Sequence, residues 1–171
     1  EYIIQECIDA GIKEIIFIIS KKKMMIKKYF YNDKFYKDLI KKKKDPRVIE
    51  EYNKILRFRK MIKFVYQNKP KGTGDAVLKT KKHIKDKYFL MLLPDDLIIK
   101  KNCSKSMIIS HKKYKASVMA SMSVNKKSVE RWGIYKLTKK FNKTDYLIDS
   151  VVEKPNIKDA PSNKAVIGRY I

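Results

Sequence analysis

The chain has 171 residues, of which 42 are Lys or Arg and 18 are Asp or Glu, giving a formal charge of +24 carried by 37 Lys and 5 Arg. Its 44% hydrophobic and 11% aromatic content suffices for one packed domain and excludes disorder, since a chain of this size buries roughly 70% of its unfolded surface. The longest apolar runs, Ile15 to Ile19 and Tyr88 to Leu93, fall far short of the ~20 residues of a membrane-spanning helix, so no membrane partner is expected.

Glu1 opens directly into Tyr2-Ile3-Ile4-Gln5-Glu6-Cys7, which reads as the middle of an amphipathic helix. With no initiator Met and no signal-peptide pattern, the sequence reads as an internal fragment. Gly11 follows at a helix C-cap, and Glu14 to Ser20 reads as a buried strand, short and β-branched. Asp45 and Pro46 form a helix start, after which Val48, Ile49, Tyr52, Ile55 and Leu56 repeat at helical spacing. A second strand carries Ile62, Phe64 and Tyr66 on one side and ends near Gln67. Beyond the Asn68 to Gly72 loop, Thr73 is expected to cap a helix running to about Lys82, with Asp75 in its first turn. Tyr88 to Leu93 reads as a strand buried on both faces, stopping at Pro94-Asp95-Asp96. Asn102 caps a helix whose apolar side is Cys103, Met107, Ile108, His111 and Tyr114. From Ala116 the texture changes to alternation, with Val118, Ala120, Met122 and Val124 on one face of a strand, and three further strands are expected at 134–137, 146–152 and 165–171. The result is one three-layer α/β domain with a mixed sheet, covering residues 1–171.

Two cysteines, Cys7 and Cys103, are too few for a disulfide framework or a zinc site; they read as buried thiols in a reducing cytoplasm. The charge invites a nucleic-acid reading, but it is spread evenly, +14 over residues 1–85 and +10 over 86–171. Abundant Lys, Ile, Asn and Tyr with little Arg and Gly is the product expected of an AT-rich coding sequence. The Lys21 to Lys23 and Lys41 to Lys44 runs are therefore read as solvated surface.

In an open α/β sheet, ligands collect beyond the carboxyl ends of strands, and three such places carry suggestive residues. At Gln67 and the Lys69 to Gly74 loop, two glycines allow close approach to a flat ligand and Gln67 could pair with the edge of a base; an ordinary strand-to-helix turn explains the same residues. At Asp95-Asp96 a strand-end carboxylate is a ready ligand for Mg²⁺ shared with substrate phosphates, or Asp96 simply caps the next segment. At Glu153-Lys154-Pro155 the proline fixes the strand exit, leaving Glu153 for sugar hydroxyls and Lys154 for a phosphate, or the two form a solvated surface ion pair. His83 and His111 have no catalytic partner in sequence, and His111 reads as a core or boundary residue.

Taken in order, these segments resemble the bacterial-type UTP-glucose-1-phosphate uridylyltransferases within the sugar-1-phosphate nucleotidyltransferase family. The likeness runs through Tyr2 to Ile12, Val65-Tyr66-Gln67 with Lys71-Gly72-Thr73-Gly74, Leu93-Pro94-Asp95-Asp96-Leu97, Arg131-Trp132-Gly133-Ile134, Val152-Glu153-Lys154-Pro155, and Ala160 to Tyr170. It implies a Rossmann-like nucleotide-diphospho-sugar transferase fold with a mixed, mostly parallel sheet, incomplete at both ends. It further implies uracil held by Gln67 and Gly72, Mg²⁺ on Asp95, and glucose 1-phosphate contacted by Gly133, Glu153, Lys154 and Val166, with Lys154 and Asp95 carrying the chemistry. Its partners would be UTP and glucose 1-phosphate in a homo-oligomeric intact enzyme that has no specific nucleic-acid ligand. Asp75 stands where the family more often has His, and Trp132 where Tyr is usual. The family's triphosphate loop and a second metal carboxylate lie outside these residues, so the chain alone is expected to be inactive. Two rivals stay open: a sister enzyme using dTTP or CTP, and a basic nucleic-acid-binding domain.

Overall fold

The computed structural model describes residues 1–171. The chain is mixed α/β and divides into two compact units, one made of residues 12–87 and the other of residues 1–11 together with 88–171.

In the continuous unit, β1 (Ile15–Ile19) pairs in parallel with β2 (Ile62–Tyr66), in a register that sets Ile15 opposite Ile62 and Ile19 opposite Tyr66. Between them run α2 (Met24–Tyr31), α3 (Asp33–Lys43) and α4 (Pro46–Met61). A parallel pair requires a crossover of this kind. The core is Ile19, Phe30, Tyr36, Ile55, Phe58, Ile62 and Val65, with Phe17 set edge-on against both Phe30 and Phe64. Tyr36 stacks on Tyr52 across α3 and α4. Arg59 of α4 ties in α3 by donating to Asp33 and α2 by donating to the Phe30 carbonyl.

α4 begins where the Asp-Pro pair predicts. Asp45 accepts from Arg47 N at 2.9 Å and from the Arg47 guanidinium at 2.8 Å. The Arg47 side chain, then its backbone N–H, hold the Asp45 carboxyl down at about 2. A depressed carboxylate contributes stability above its ordinary value and loses it as pH falls through the folded one. Asp45→Ala should therefore lower the melting midpoint at neutral pH, and the difference from the parent should close as pH approaches 2.

After β2 and the 67–72 loop comes α5 (Thr73–Lys79), a shorter helix than expected, followed by a 3-10 turn at Lys81–His83. Thr73 is not its cap. Gly72, at φ +95°, occupies the N-cap, and Thr73 is the first helical residue.

The second unit opens with α1 (Tyr2–Asp9), which buries Ile4, Glu6 and Cys7 and closes on Ala10 with Gly11 at φ +85°. Its sheet contains β3 (Met91–Leu92), β4 (Met119–Ser123), β5 (Gly133–Lys140), β6 (Tyr146–Glu153) and β7 (Lys164–Tyr170). β7 is the hub, pairing antiparallel with β3, β4 and β5, while β6 pairs antiparallel with β5. Between β3 and β4 runs α6 (Cys103–Tyr114), capped by Asn102 as expected. One core cluster joins Met107, Ala120 and Ile167; another joins Val129, Ile134 and Ala165, with Trp132 packed against it.

The apolar run before Pro94 differs from expectation. Only Met91 and Leu92 form a strand, and Tyr88 and Phe89 are exposed rather than buried on both faces. The pairing with β7 takes in Met91 and Leu92 only, opposite Tyr170 and Arg169, while Tyr88 packs its ring on His111. His111 is a boundary residue with Nδ1 2.7 Å from the Ala116 carbonyl. Cys7 is buried and Cys103 half-buried, and neither is in a disulfide. No helix is long and apolar enough to cross a membrane.

Candidate active site

The turn after β3 is held by a buried arginine. Arg169, fully buried on β7, uses all five of its donors: Nε on Glu6 (3.2 Å), Nη1 on the Leu93 and Gly168 carbonyls (3.1 and 2.9 Å), and Nη2 on Glu6 and on the Asp96 carbonyl (2.9 and 2.8 Å). Glu6 is in turn satisfied by the Ser104 hydroxyl at 2.6 Å and backbone N–H at 3.2 Å. Burial raises the Glu6 carboxyl, but the bonds from Arg169 and Ser104 outweigh it and keep it below the usual range. The guanidinium thus grips the chain on both sides of Pro94-Asp95, a fork geometry that a lysine lacks.

This fixes the division of labour between the adjacent carboxylates. Asp96 turns inward, its Oδ2 accepting from Gly168 N at 2.7 Å, so it anchors the turn instead of capping the next segment. Asp95 is exposed and its carboxylate accepts no hydrogen bond from the protein. No group of three or more His, Cys, Asp or Glu side chains that could hold a metal is formed, so a cation here would draw its remaining oxygens from substrate and water. A free hard carboxylate at a braced turn suits that arrangement. Tyr170 lies beside the pair; burial first, then the charges of Asp96 and Asp95, push its hydroxyl up.

Gly168 packs so closely on this turn that a Cβ there would overlap Leu93 Cβ and stand 2.9 Å from Asp96 Oδ2. Gly168→Ala should cost about 1–3 kcal/mol, the usual toll of overpacking, because the obstructing atom is next to the backbone and cannot swing aside. Thermal unfolding would measure the loss.

Further along the same sheet, Gly133, Glu153 and Val166 converge although they come from three strands. A Cβ on Gly133 would stand 3.0 Å from Glu153 Oε2 and 3.3 Å from Val166 Cγ2. Register explains part of this, since Gly133 lies opposite Glu153. Lys154 follows at φ +46°, its N–H donating to the Trp132 carbonyl at 3.0 Å. Left-handed backbone is strained for a residue with a Cβ. Lys44 and Lys115 adopt it at helix C-caps, where it is routine; Lys154 adopts it at a strand exit, with no helix to account for it. Pro155 behind it is buried.

In the other unit, Gln67 and Gly72 are brought together locally. Gln67 N extends the parallel ladder by donating to the Ile19 carbonyl at 2.9 Å, and its side-chain Nε2 donates to the Gly72 carbonyl at 3.1 Å and to Asp75 Oδ2 at 2.8 Å. Nothing lies within 4 Å of where a Gly72 Cβ would be, so its backbone is open to a flat ligand.

The nucleotidyl transferase family model matches residues 1–171, the whole chain. The chain belongs to the nucleotidyl transferase family. Among individual relatives of this nucleotidyl transferase, the UTP-glucose-1-phosphate uridylyltransferase of Streptococcus pyogenes is 33% identical over the full chain, which spans 57% of that protein. A UDP-glucose pyrophosphorylase complexed with UDP-glucose superposes with a TM-score of 0.80 at 30% identity, over 99% of this chain and 61% of that one. The UTP-bound enzyme from Acinetobacter baumannii gives 0.81 at 27%, with the same two coverages. The chain thus spans less than two thirds of the curated relatives it matches.

No local pattern in the sequence places Glu6, Ser104 or Arg169 at the site. Glu6 and Arg169 do lie in segments that carry the family resemblance, and composition adds a signal: in a chain with 37 Lys and 5 Arg, an arginine marks a position where planar, forked donors matter.

Proposed function

We propose that the protein of which this chain is part transfers a uridylyl group from UTP to glucose 1-phosphate, yielding UDP-glucose and pyrophosphate. The observation that carries this is the convergence of Gly133, Glu153 and Val166 beside the strained Lys154, in a nucleotidyl transferase whose relatives bear that activity in their names. Gln67 and Gly72 hold the uracil. Glu153 accepts hydrogen bonds from glucose hydroxyls, Val166 packs against the ring, and Gly133 leaves the room a side chain would fill. Lys154 pairs with the sugar phosphate. The two units are parts of one catalytic domain.

The sugar phosphate is already an anionic nucleophile near neutral pH, so no general base is needed. One of its oxygens attacks the α-phosphorus while the bond to the β-phosphate oxygen breaks, and pyrophosphate carries away the electron pair. What the protein must supply is alignment and charge neutralisation. Lys154 orients the attacking phosphate. Asp95, the carboxylate left free by the anchoring of Asp96, would hold Mg²⁺, which supplies charge neutralisation at the transferred phosphate. The charge of +24 serves solubility rather than specific nucleic-acid binding, and the intact enzyme is a cytoplasmic homo-oligomer.

The test is Lys154→Ala in the full-length protein, assayed for pyrophosphate release. The Michaelis constant for glucose 1-phosphate should rise and turnover should fall, because positioning a nucleophile serves both binding and the transition state. A defect confined to UTP would overturn the assignment. Absence of turnover in the parent with UTP and glucose 1-phosphate would overturn the activity itself.

A further inference from the structure

Gln67 is expected to read a base, yet a glutamine amide has two faces, a donor and an acceptor, and a freely rotating one can serve opposite hydrogen-bonding edges. In this chain it cannot rotate freely. Both hydrogens of Nε2 are taken, by the Gly72 carbonyl at 3.1 Å and by Asp75 Oδ2 at 2.8 Å. Both partners are acceptors only, so a flipped amide would set Oε1 against two oxygens. The bond from Gln67, then the charge of Lys79, hold the Asp75 carboxyl below its usual range, so it stays an acceptor at neutral pH. Lys79 stands 3.6 Å from Asp75 one turn along α5 and fixes the carboxylate in place. What remains for a ligand is Oε1.

The geometry points to Asp75 as a specificity-determining positioning residue: by occupying the donor side of Gln67, it makes this glutamine an acceptor-only reader that selects bases carrying an N3–H. Uracil and thymine present that hydrogen. Cytosine presents a lone pair at N3, which would face the lone pairs of Oε1. A buried or half-buried mismatch of two acceptors is costly because neither can find water. Asp75 does not touch the base; it acts through Gln67.

The inference rests on the uracil-binding reading of Gln67, and the experiment separates the two. In the full-length protein, kcat/KM would be measured with UTP, dTTP and CTP for the parent, Asp75→Ala and Asp75→Asn. Asn keeps a carbonyl oxygen that can accept from Gln67 Nε2, so it should retain most of the discrimination, whereas Ala releases the amide. The ratio of UTP to CTP should fall about tenfold or more in Asp75→Ala and little in Asp75→Asn. A merely structural residue would lower both nucleotides together and leave the ratio unchanged, which would overturn the proposal. Should Asp75→Ala fail to fold, Asp75→Leu, which fills similar space with no acceptor, takes its place, with UMP and CMP binding followed by calorimetry: a preference for UMP that collapses relative to the parent supports the proposal, and one that equals the parent's refutes it. A parent that prefers UMP to CMP but turns over no sugar phosphate would leave this inference standing and remove the activity proposed above.

Discussion

Arg169→Met should cost about 3–5 kcal/mol of folding stability, the size expected when one partner of a buried ion pair is removed and the other is left uncompensated. Five acceptors lose their donor at once, among them the Glu6 carboxylate and the Leu93 and Asp96 carbonyls. Arg169→Lys should recover little, since three donors on a flexible stem cannot reach five acceptors set in a plane. Urea unfolding at pH 7 would measure both. Replacing Glu6 and Arg169 together by Leu and Met should restore much of the loss, because no orphaned charge remains. The pH dependence has a definite sign. In the parent, Glu6 titrates below its ordinary value of 4.5, so its contribution is present above that value and is lost as pH falls through the folded one. In Arg169→Met the same carboxyl, buried without its cation, titrates high instead, and the deficit should shrink in acid as protonation neutralises it.

Asp95→Asn should leave the fold intact and lower turnover on the order of a hundredfold or more, the effect typical of deleting one group that stabilises transition-state charge. Its neighbour should behave in the opposite way. Asp96→Asn keeps an oxygen able to accept from Gly168 N–H, and should retain both stability and most of the activity. Asp96→Ala loses that acceptor and should lose stability first. Steady-state assays paired with melting curves would separate the two patterns; full activity in Asp95→Asn at ordinary Mg²⁺ would move the metal to another carboxylate.

Local chemistry made much of the fold legible. The 62–66 strand shows its alternation, the β-branched run at 15–19 shows its strand, and Asp45-Pro46 and Asn102 announce their helices because capping is decided within three or four residues. Within the segment 24–43 the one such signal is Asn32, which caps α3 by accepting from Phe35 N at 3.2 Å, and a cap alone does not place a helix. α3 buries only Tyr36 among its eleven residues, and what fixes it is a stack on Tyr52 and an ion pair with Arg59, both from α4. Met91-Leu92 shows the converse: six apolar residues in a row say that a strand is possible, but strand length is set by the partner's ladder. The site divides in the same way. Gln67, Gly72 and Asp75 lie within nine residues, so their meeting is a property of one turn. Gly133, Glu153 and Val166 meet through sheet register, which family resemblance could suggest and local periodicity could not. Glu6 and Arg169 lie 163 positions apart, beyond the reach of any local rule.

The order in which the sheet can be assembled follows from the place of β7. It follows β3, β4 and β5 in sequence and is the strand with which all three pair. On a ribosome, residues 12–87 are a continuous stretch that can close its own core early. The remaining unit must wait: α1, made before that stretch, finds its arginine only when residue 169 emerges, and β3 and β4 have no common neighbour until then. Contacts this distant in sequence carry a large loop-closure cost before they return anything. Nascent chains halted after residues 12–87 have emerged and before residue 164 should therefore protect 12–87 from proteases while leaving 88 onward open to cleavage, with α1 held in reserve for β7.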